Sequence, residues 1–172
     1  MKKLILLLLT LSGAVVFSQN QYKSSKMSFV YPENYKLKDE RIVQDVLVKL
    51  VSKNTSNSEN IIVNMNYEYS SIDDVDKKSL NKKLISETDN AMKVLGTSYE
   101  TTIISSERKV VFGKEIISTL IKTELPKYYT TLFQLTYLYV KNGKSCYIII
   151  SDDKENDYTP QANLILKEFM FL

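Results

Sequence analysis

The sequence predicts an α+β domain organised around a mainly antiparallel sheet, and three observations lead to this. Several segments alternate apolar and polar side chains with the two-residue period of strands, and most are joined by connections short enough for hairpins. Two other segments repeat their apolar residues with the 3.6-residue period of an amphipathic helix. The order along the chain is strands, one long helix, more strands and a final helix, which is typical of an α+β fold.

Length and composition are those of one globular domain with a hydrophobic core. The chain has 172 residues, of which 44% are hydrophobic and 25% are charged, and these values are usual for folded proteins. Four glycines and three prolines are too few for a low-complexity chain. Twelve tyrosines without any tryptophan favour a sheet-rich structure.

Residues 1–18 are predicted to be a signal peptide rather than part of the fold. Two lysines follow the first methionine, residues 4–11 are apolar, and residues 16–18 suit cleavage by signal peptidase. The apolar run is too short for a permanent membrane helix, and no cysteine lies near the cut to carry a lipid anchor. We therefore expect a periplasmic or secreted protein with a single domain at residues 19–172 and no membrane span after cleavage.

The charge balance argues against partners that bind by bulk charge. Removing Lys2 and Lys3 from the 23 basic residues leaves 21 against 20 acidic ones. No attraction of the mature chain to nucleic acid or to anionic membranes is therefore expected.

Cys146 is the one cysteine, so it cannot form an internal disulfide. Its neighbours are apolar, and we expect a buried, unreactive thiol.

Three strands are predicted in the first half of the chain. After a polar lead, residues 28–31 form a short strand that ends in a Pro-Glu-Asn turn, and residues 44–53 form the second strand. A polar surface turn at residues 54–60 follows. Residues 61–69 alternate between apolar and polar side chains, so one face of this third strand should pack against the core and the other should face solvent. An edge or lightly covered position in the sheet is expected for it.

Residues 71–95 are predicted to form the long helix. Acidic residues cluster near its start and lysines follow them, and Gly96 suits the left-handed residue that ends many helices. The side chains expected to face the core are Leu80, Leu84, Thr88, Ala91, Met92 and Leu95.

The second half contains four further strands. Residues 99–111 and 114–124 are joined by a Phe-Gly pair, and residues 131–140 are joined to 146–150 by Asn142-Gly143. An Asn-Gly pair suits a type I′ hairpin turn. The last two strands are apolar on both faces, so they belong at the centre of the sheet.

A short helix is predicted to close the chain. Thr159 and Pro160 suit the N-cap and the first helical position. The residues that follow place apolar side chains on one stripe, at Ala162, Ile165, Leu166 and Phe169.

Two stretches resemble the PsbP/Mog1/DcrB-like superfamily. One is the segment 29–35, Phe-Val-Tyr-Pro-Glu-Asn-Tyr, in which Tyr35 stands where the family usually has tryptophan. The other is the C-terminal pattern of a glutamine-containing strand, an Asn-Gly turn, the strand Lys-Ser-Cys-Tyr-Ile-Ile-Ile-Ser, a Tyr-Thr-Pro helix start and a final Phe-Met-Phe. The resemblance implies an α/β/α sandwich, with a central, mainly antiparallel sheet of about six to seven strands flanked by helices. It also implies a binding subunit, assembly factor or chaperone.

The residue inventory argues against catalysis. Histidine is absent from the sequence, which excludes Ser-His-Asp and Cys-His nucleophile systems and a His-ligated zinc. No glycine-rich phosphate loop is present, and no two carboxylates lie in apolar surroundings that would separate their pKa values. We therefore expect no enzyme activity and no cofactor. An enzyme that uses carboxylates is kept as a third hypothesis, beside the binding module and the ligand-binding protein described below.

The acidic loop after the last predicted strand is the candidate metal site. Asp152, Asp153, Glu155 and Asp157 could surround a Ca²⁺ ion, which prefers oxygen ligands. The EF-hand spacing and its glycine are missing, and Lys154 lies among the acids. These departures favour a solvated loop.

Tyrosines on or beside the predicted strands are the candidate ligand-binding or partner-binding residues, namely Tyr67, Tyr69, Tyr137 and Tyr139, with Tyr128 and Tyr129 nearby. An uncovered row of such rings would form a rigid, amphipathic surface of the kind that partners bind. Alternatively, the rings pack across neighbouring strands beneath a helix. Helices on both faces, which the resemblance implies, favour this packing alternative.

Together these inferences predict an exported, non-enzymatic binding or assembly module with a protein partner in the bacterial cell envelope. The alternative is a periplasmic protein that binds a small ligand or Ca²⁺ in a pocket between sheet and helix, or in the acidic loop. An apolar cavity lined by the tyrosines would favour the alternative, and a flat exposed patch would favour the protein partner.

Overall fold

The computed structural model describes residues 19–42, 45–54, 58–94, 96 and 98–172, so the predicted signal peptide lies outside the described residues. The strands in this part of the chain are β1 (Gln19–Lys23), β2 (Met27–Pro32), β3 (Tyr35–Ile42), β4 (Val46–Ser52), β5 (Asn60–Asn66), β6 (Glu100–Val111), β7 (Lys114–Leu125), β8 (Thr130–Lys141), β9 (Lys144–Asp152) and β10 (Met170–Phe171). The helices are α1 (Lys77–Lys93) and α2 (Thr159–Glu168), with short 3-10 turns at Ile72–Asp74 and Pro126–Tyr128. Neither helix is long and apolar enough to cross a membrane.

Seven strands form one antiparallel sheet in the order β3-β4-β5-β9-β8-β7-β6. The remaining three form a second sheet in the order β1-β2-β10. The large antiparallel sheet and the two helices confirm the predicted fold class, and β8 and β9 lie near its centre as their apolar faces indicated. The sequence patterns did not indicate the three-stranded sheet.

Two tight turns set the register of β6 to β9. Phe112 and Gly113 have φ angles of 51° and 72°, and Asn142 and Gly143 have φ angles of 53° and 71°. Positive φ at both turn residues is the mark of a type I′ turn, whose twist matches that of the strands it joins. Because β7 and β8 pair antiparallel, the two hairpin tips lie at the same end of the sheet.

One face of the large sheet is covered by α2 and the three-stranded sheet. The predicted stripe of α2 is buried in full, at Ala162, Ile165, Leu166 and Phe169. It shares one core with side chains from β2, β4, β5, β8 and β9. Burying an aliphatic or aromatic side chain contributes about 1.5–3 kcal/mol, so this stripe holds α2 firmly against the sheet.

The other face is covered by α1, along less of its length than predicted. Leu80 and Leu84 are buried against the sheet, but Thr88 and Met92 are half-buried and Ala91 is exposed. The core position predicted for Ala91 is wrong, because a cleft of about 360 Å³ opens between this part of α1 and the sheet. Leu95, the last predicted core residue, lies outside the described residues.

The long helix also begins later than predicted. Residues 72–74 form a 3-10 turn, and Asp76 is the N-cap of α1. Its carboxylate accepts hydrogen bonds from the backbone N–H groups of Lys78 and Ser79 at 3.3 and 2.9 Å. An aspartate that satisfies the free N–H groups at this point fixes the helix start there. At the other end, Gly96 has the predicted positive φ, at 60°.

Three strands, β1, β3 and β10, were missed by the sequence patterns. All three lie at the edge of a sheet, and β3 has the sequence Tyr-Lys-Leu-Lys-Asp-Glu-Arg-Ile. An edge strand can keep charged side chains in water, so it need not show the apolar alternation of a covered strand. The Tyr22 hydroxyl of β1 donates to Glu40 Oε1 of β3 at 2.5 Å, which connects the two sheets.

Two further expectations are settled by the structure. Of the edge or lightly covered position expected for β5, the edge position is wrong, because β5 is the third of seven strands, and the lightly covered position is confirmed, because Asn64 on its second face is half-buried. The N-cap of α2 is Tyr158 rather than Thr159. Asp157 Oδ1 accepts the Thr159 N–H at 3.0 Å, so a carboxylate satisfies the start of this helix instead of the threonine hydroxyl.

Candidate binding site

A cavity of about 500 Å³ lies at the end of the large sheet that carries both hairpin tips. The start of β7, the β8–β9 turn, the end of α2 and β10 surround it. Four lysines line it, and we call it the lysine cavity: Lys114, Lys141, Lys144 and Lys167. Glu168 contributes the one carboxylate of the lining.

Local sequence places each of these lysines at the cavity. Lys114 directly follows the Phe-Gly turn, and Lys141 and Lys144 flank the Asn-Gly turn. Lys167 lies in the last turn of α2, where the negative end of the helix dipole favours a cation. Hairpin geometry and the end of one helix thus gather four ammonium groups from three parts of the chain.

Lys114 is the most firmly held of the four lysines. Its ammonium donates to the backbone carbonyl of Leu166, and to those of Lys167 and Phe169 at 3.0 Å each. Carbonyls at the end of a helix lack the usual intrahelical partners, and Lys114 supplies donors there; the Leu166 carbonyl also accepts the Phe169 N–H at 3.2 Å. Burial lowers the pKa of Lys114; the charge of Glu168 opposes this shift and the charge of nearby Lys141 adds to it.

Aromatic rings form the apolar wall of the lysine cavity. Tyr139 and Phe171 are stacked, with centroids 5.7 Å apart and ring planes 15° apart. Phe169 meets Phe171 edge-on at 4.9 Å. The ammonium of Lys114 is 5.8 Å from the Tyr139 ring centroid, and that of Lys144 is 6.0 Å from the Phe171 centroid. Cations at this distance from ring faces are weakly attracted to them.

The lysine cavity carries an excess of positive charge. Four lysines line it beside a single side-chain carboxylate, Glu168, which is 3.9 Å from the Lys167 ammonium in an exposed pair. Exposed pairs of this kind contribute little, so the positive charge of Lys167 stays available to an anion. The Lys144 ammonium donates to the Leu172 backbone oxygen at 2.8 Å.

Tyr137 and Tyr139, two of the four predicted tyrosines, lie in the core beneath α2. Burial raises the pKa of both hydroxyls. Tyr137 Oη donates to Asn163 Oδ1 of α2 at 3.3 Å. This placement is the packing alternative, so the two rings cannot form an exposed row. Tyr139 nevertheless reaches the lysine cavity, where the edge of its ring forms part of the wall.

Tyr67 and Tyr69 follow β5 and are more accessible. Tyr67 is 51% exposed, and Tyr69 is half-buried. Between them, Glu68 Oε2 accepts hydrogen bonds from the Lys83 ammonium and, at 2.7 Å, from Tyr147 Oη. A binding role for Tyr67 and Tyr69 stays a prediction, because the described contacts of this segment are internal to the chain.

We expect Glu68 to make the stability of the protein depend on pH. Partial burial raises the pKa of Glu68, but the hydrogen bonds from Lys83 and Tyr147 outweigh it and hold the pKa below its ordinary value of 4.5. A carboxyl with a lowered pKa in the folded state stabilises the protein above its unfolded pKa, and this stability is lost as the pH falls through the folded pKa. Glu68→Gln should therefore lower the urea midpoint at pH 7, and the loss should become smaller as the pH falls below 4.5 towards pH 3.

The exposed Glu33 provides the matched control for this measurement. Glu33→Gln should leave the urea midpoint close to that of the unchanged protein at both pH values, because surface substitutions of this kind usually change stability by less than about 0.5 kcal/mol. An equal loss for Glu68→Gln at pH 7 and pH 3 would show that the side chain acts by packing and not by charge.

The four carboxylates predicted as a metal site do not converge. Asp152 is buried and its Oδ1 accepts the Asp153 N–H at 2.8 Å and the Ser58 hydroxyl, while Asp157 binds the start of α2. Asp153 and Glu155 are exposed. Among the described residues, no group of three or more acidic, histidine or cysteine side chains is arranged to hold a metal. The calcium interpretation stays a prediction without structural support.

Cys146 is fully buried in β9, as predicted. Burial raises the pKa of its thiol well above the ordinary value, and the nearby charge of Lys114 opposes the shift only weakly. A thiol that is neither ionised nor exposed is unreactive.

The edge strand β6 carries large exposed apolar side chains. Ile104 and Val110 are 51% and 69% exposed, and Phe112 in the following turn is 57% exposed. Among the described strands, β6 pairs only with β7, so its outer backbone groups have no strand partner there. An open edge with apolar side chains can add an extended segment of another chain.

Comparison with solved structures shows which known fold the chain shares. No protein-family model and no curated protein sequence matches it. The solution structure of cyanobacterial PsbP (CyanoP) from Synechocystis sp. PCC 6803 matches with a TM-score of 0.68 and 14% sequence identity, over 93% of this chain and 96% of that one. The chain has a PsbP-like fold.

A second structure shares part of the PsbP-like arrangement. It is the crystal structure of a protein from Bacteroides thetaiotaomicron VPI-5482, with a TM-score of 0.53 and 9% identity over 85% of this chain and 45% of that one. These similarities confirm the resemblance at the level of the fold. Residues of both stretches also share one core, since Phe29 and Tyr35 belong to the same buried cluster as Cys146 and Phe169.

Sequence reasoning missed both the lysine cavity and the β6 surface of this PsbP-like domain. A usable signal existed for the cavity: lysines stand beside both hairpin turns, and another ends the last helix. It was not decisive, because lysines at turns and helix ends are common on solvated surfaces. Only the strand order shows that both tips and the helix end meet at one place.

Proposed function

We propose that this PsbP-like protein is an exported, non-enzymatic binding or assembly module that contacts a protein partner through the edge strand β6. The observation that carries the proposal is a twelve-residue edge strand with Ile104, Val110 and the neighbouring Phe112 exposed. The absence of histidine from the sequence is in keeping with a role that involves no catalysis.

Backbone pairing and side-chain burial would both contribute to such a contact. An added strand forms main-chain hydrogen bonds with the open edge, and alternate side chains select the partner. Between the apolar residues lie Glu107, Arg108 and Lys109. Charged residues on an edge oppose unselective pairing with other strands, so a suitable partner must match both the apolar and the charged positions.

Export is the second part of the proposal, and it rests on the predicted signal peptide. Cleavage before Gln19 would leave every described strand in the mature chain, since β1 begins at that residue. Expression of the full chain in a bacterium, followed by fractionation and mass spectrometry, should give protein outside the cytoplasm that begins near Gln19. Cytoplasmic protein with an intact Met1 would contradict this part.

The partner contact is tested by cross-linking in intact cells, with two matched variants. Val110→Asp places a charge on the open edge β6, and Leu37→Asp places one on the opposite edge strand β3, where Leu37 is also exposed. We expect a cross-linked complex for the unchanged chain and for Leu37→Asp, and its loss for Val110→Asp. No complex at all, or equal loss in both variants, would refute binding through β6.

A second candidate function is supported by the lysine cavity. Its volume of about 500 Å³ lies within the range of small-molecule sites. It lies where the end of α2 meets the end of the sheet and is lined by lysines, so it differs from the apolar, tyrosine-lined cavity that would favour the alternative hypothesis. Binding of a small ligand there is compatible with a partner on β6, because different residues carry the two surfaces.

A further inference from the structure

We propose that the lysine cavity binds an organic anion in which a doubly charged group, such as a phosphate ester, is attached to an apolar or aromatic body. This inference rests on the second candidate function and names the class of ligand for that site. Three features of the cavity carry it: its charge, the freedom of its lysines and its aromatic wall.

The charge of the lysine cavity is unlike that of the chain as a whole. The sequence has 23 basic and 20 acidic residues, yet the cavity lining has four lysines and one carboxylate. Like charges placed together repel each other when no anion is bound. An anion with two negative charges would offset most of this excess, and steering by the surrounding field would favour its entry.

Two lysines of the cavity are held by backbone oxygens, and two can contact a ligand. Lys114 donates to the carbonyls at the end of α2, and Lys144 donates to the Leu172 backbone oxygen at 2.8 Å, so both contribute fixed charges. Lys141 and Lys167 are exposed and have flexible stems. Capping of α2 needs only Lys114, so it does not explain why Lys141 and Lys167 also line the cavity.

The aromatic wall accounts for the second half of the ligand. Tyr139 and Phe169 are 8% and 2% exposed, whereas Phe171, which stacks on Tyr139, is half-buried and provides the accessible ring of the wall. A bare inorganic anion would leave the Phe171 ring in contact with water. An apolar or aromatic group attached to the anion would bury part of it, at about 25 cal/mol for each Å² of apolar surface removed from water.

Phosphate is compatible with lysine as the charged group. An ammonium is a compact point charge that can approach a tetrahedral oxyanion from any side, and lysine is a common phosphate ligand in that role. All four cations of the cavity are lysines.

The test is calorimetric titration of the purified mature chain with phenyl phosphate, inorganic phosphate and phenol. Phenyl phosphate should bind, and the other two should bind at least about tenfold more weakly, since each lacks one half of the recognised chemistry. The double variant Lys141→Gln/Lys167→Gln should weaken phenyl phosphate binding on the order of tenfold to a hundredfold, the effect of losing one or two hydrogen bonds to a charged group.

The control variant Lys78→Gln/Lys82→Gln removes the same number of charges from the exposed face of α1. It should bind phenyl phosphate within about threefold of the unchanged chain, because distant exposed charges are screened by salt. Absence of phenyl phosphate binding, equal affinity for inorganic phosphate, or equal weakening in both double variants would overturn the inference. None of these outcomes bears on the β6 contact, which is tested separately by cross-linking.

Discussion

Deletion of residues 159–172 is expected to convert the protein into an insoluble or molten form. The deletion removes α2 and β10, and with them the four buried side chains of the predicted stripe. Each large apolar side chain lost from a core costs about 2–5 kcal/mol, while a whole domain is stable by only about 5–15 kcal/mol. The remaining sheet would expose the face that α2 covers, including Tyr137.

Near-UV circular dichroism and thermal melting measure the outcome. The deleted chain should keep far-UV signal, lose near-UV signal and lack a cooperative transition, which together define a molten state. Deletion of residues 170–172 alone is the graded control, since it removes β10 but keeps α2. A soluble form of the longer deletion with a cooperative melt would show that α2 is an appendage rather than a layer of the fold.

Phe169→Ala is expected to destabilise the protein by about 3–5 kcal/mol, the usual cost of removing a buried aromatic ring. Phe169 is 2% exposed and lies edge-on to Phe171 and Tyr139, with ring centroids 4.9 and 6.4 Å away. Its loss leaves a void between α2 and the sheet and removes support from the wall of the lysine cavity. Urea denaturation at neutral pH measures the change.

The exposed ring of Phe112 serves as the control for this substitution. Phe112→Ala should change the free energy of unfolding by less than about 0.5 kcal/mol, as surface substitutions usually do. If both variants lose the same stability, the cost comes from removing a ring of any kind and not from the position of Phe169 in the core.

Much of the fold could be predicted from the sequence where a single periodicity governed a segment. The stripe of α2 and the type I′ turn at Asn142-Gly143 were found because local rules, helical spacing and Asn-Gly turn chemistry, decide them. The turn at Phe112-Gly113 was located without its type, since phenylalanine does not favour positive φ. The strands β8 and β9 were placed near the centre because both of their faces are apolar.

The rest depended on contacts between distant parts of the chain. The charged strand β3 carries no pattern of its own and is ordered by pairing with β4. The predicted burial of Ala91 was wrong. The spacing of apolar residues shows which face of a helix turns towards the core, but it does not show along how many residues that face remains in contact with the sheet. The lysine cavity needed the strand order, since no local rule relates Lys114 to Lys141 and Lys167.

The pairing of β10 with β2 has a consequence for when this protein can fold. Met170 lies against Ser28, so β2 is completed by a strand that comes much later in the chain. A chain emerging from the ribosome cannot make this contact until β10 has been synthesised, and long-range contacts of this kind slow folding. The strands β1 and β2 are therefore made well before their last neighbour in the sheet. If the chain is exported as we propose, this delay would keep the polypeptide unfolded long enough to be threaded across a membrane.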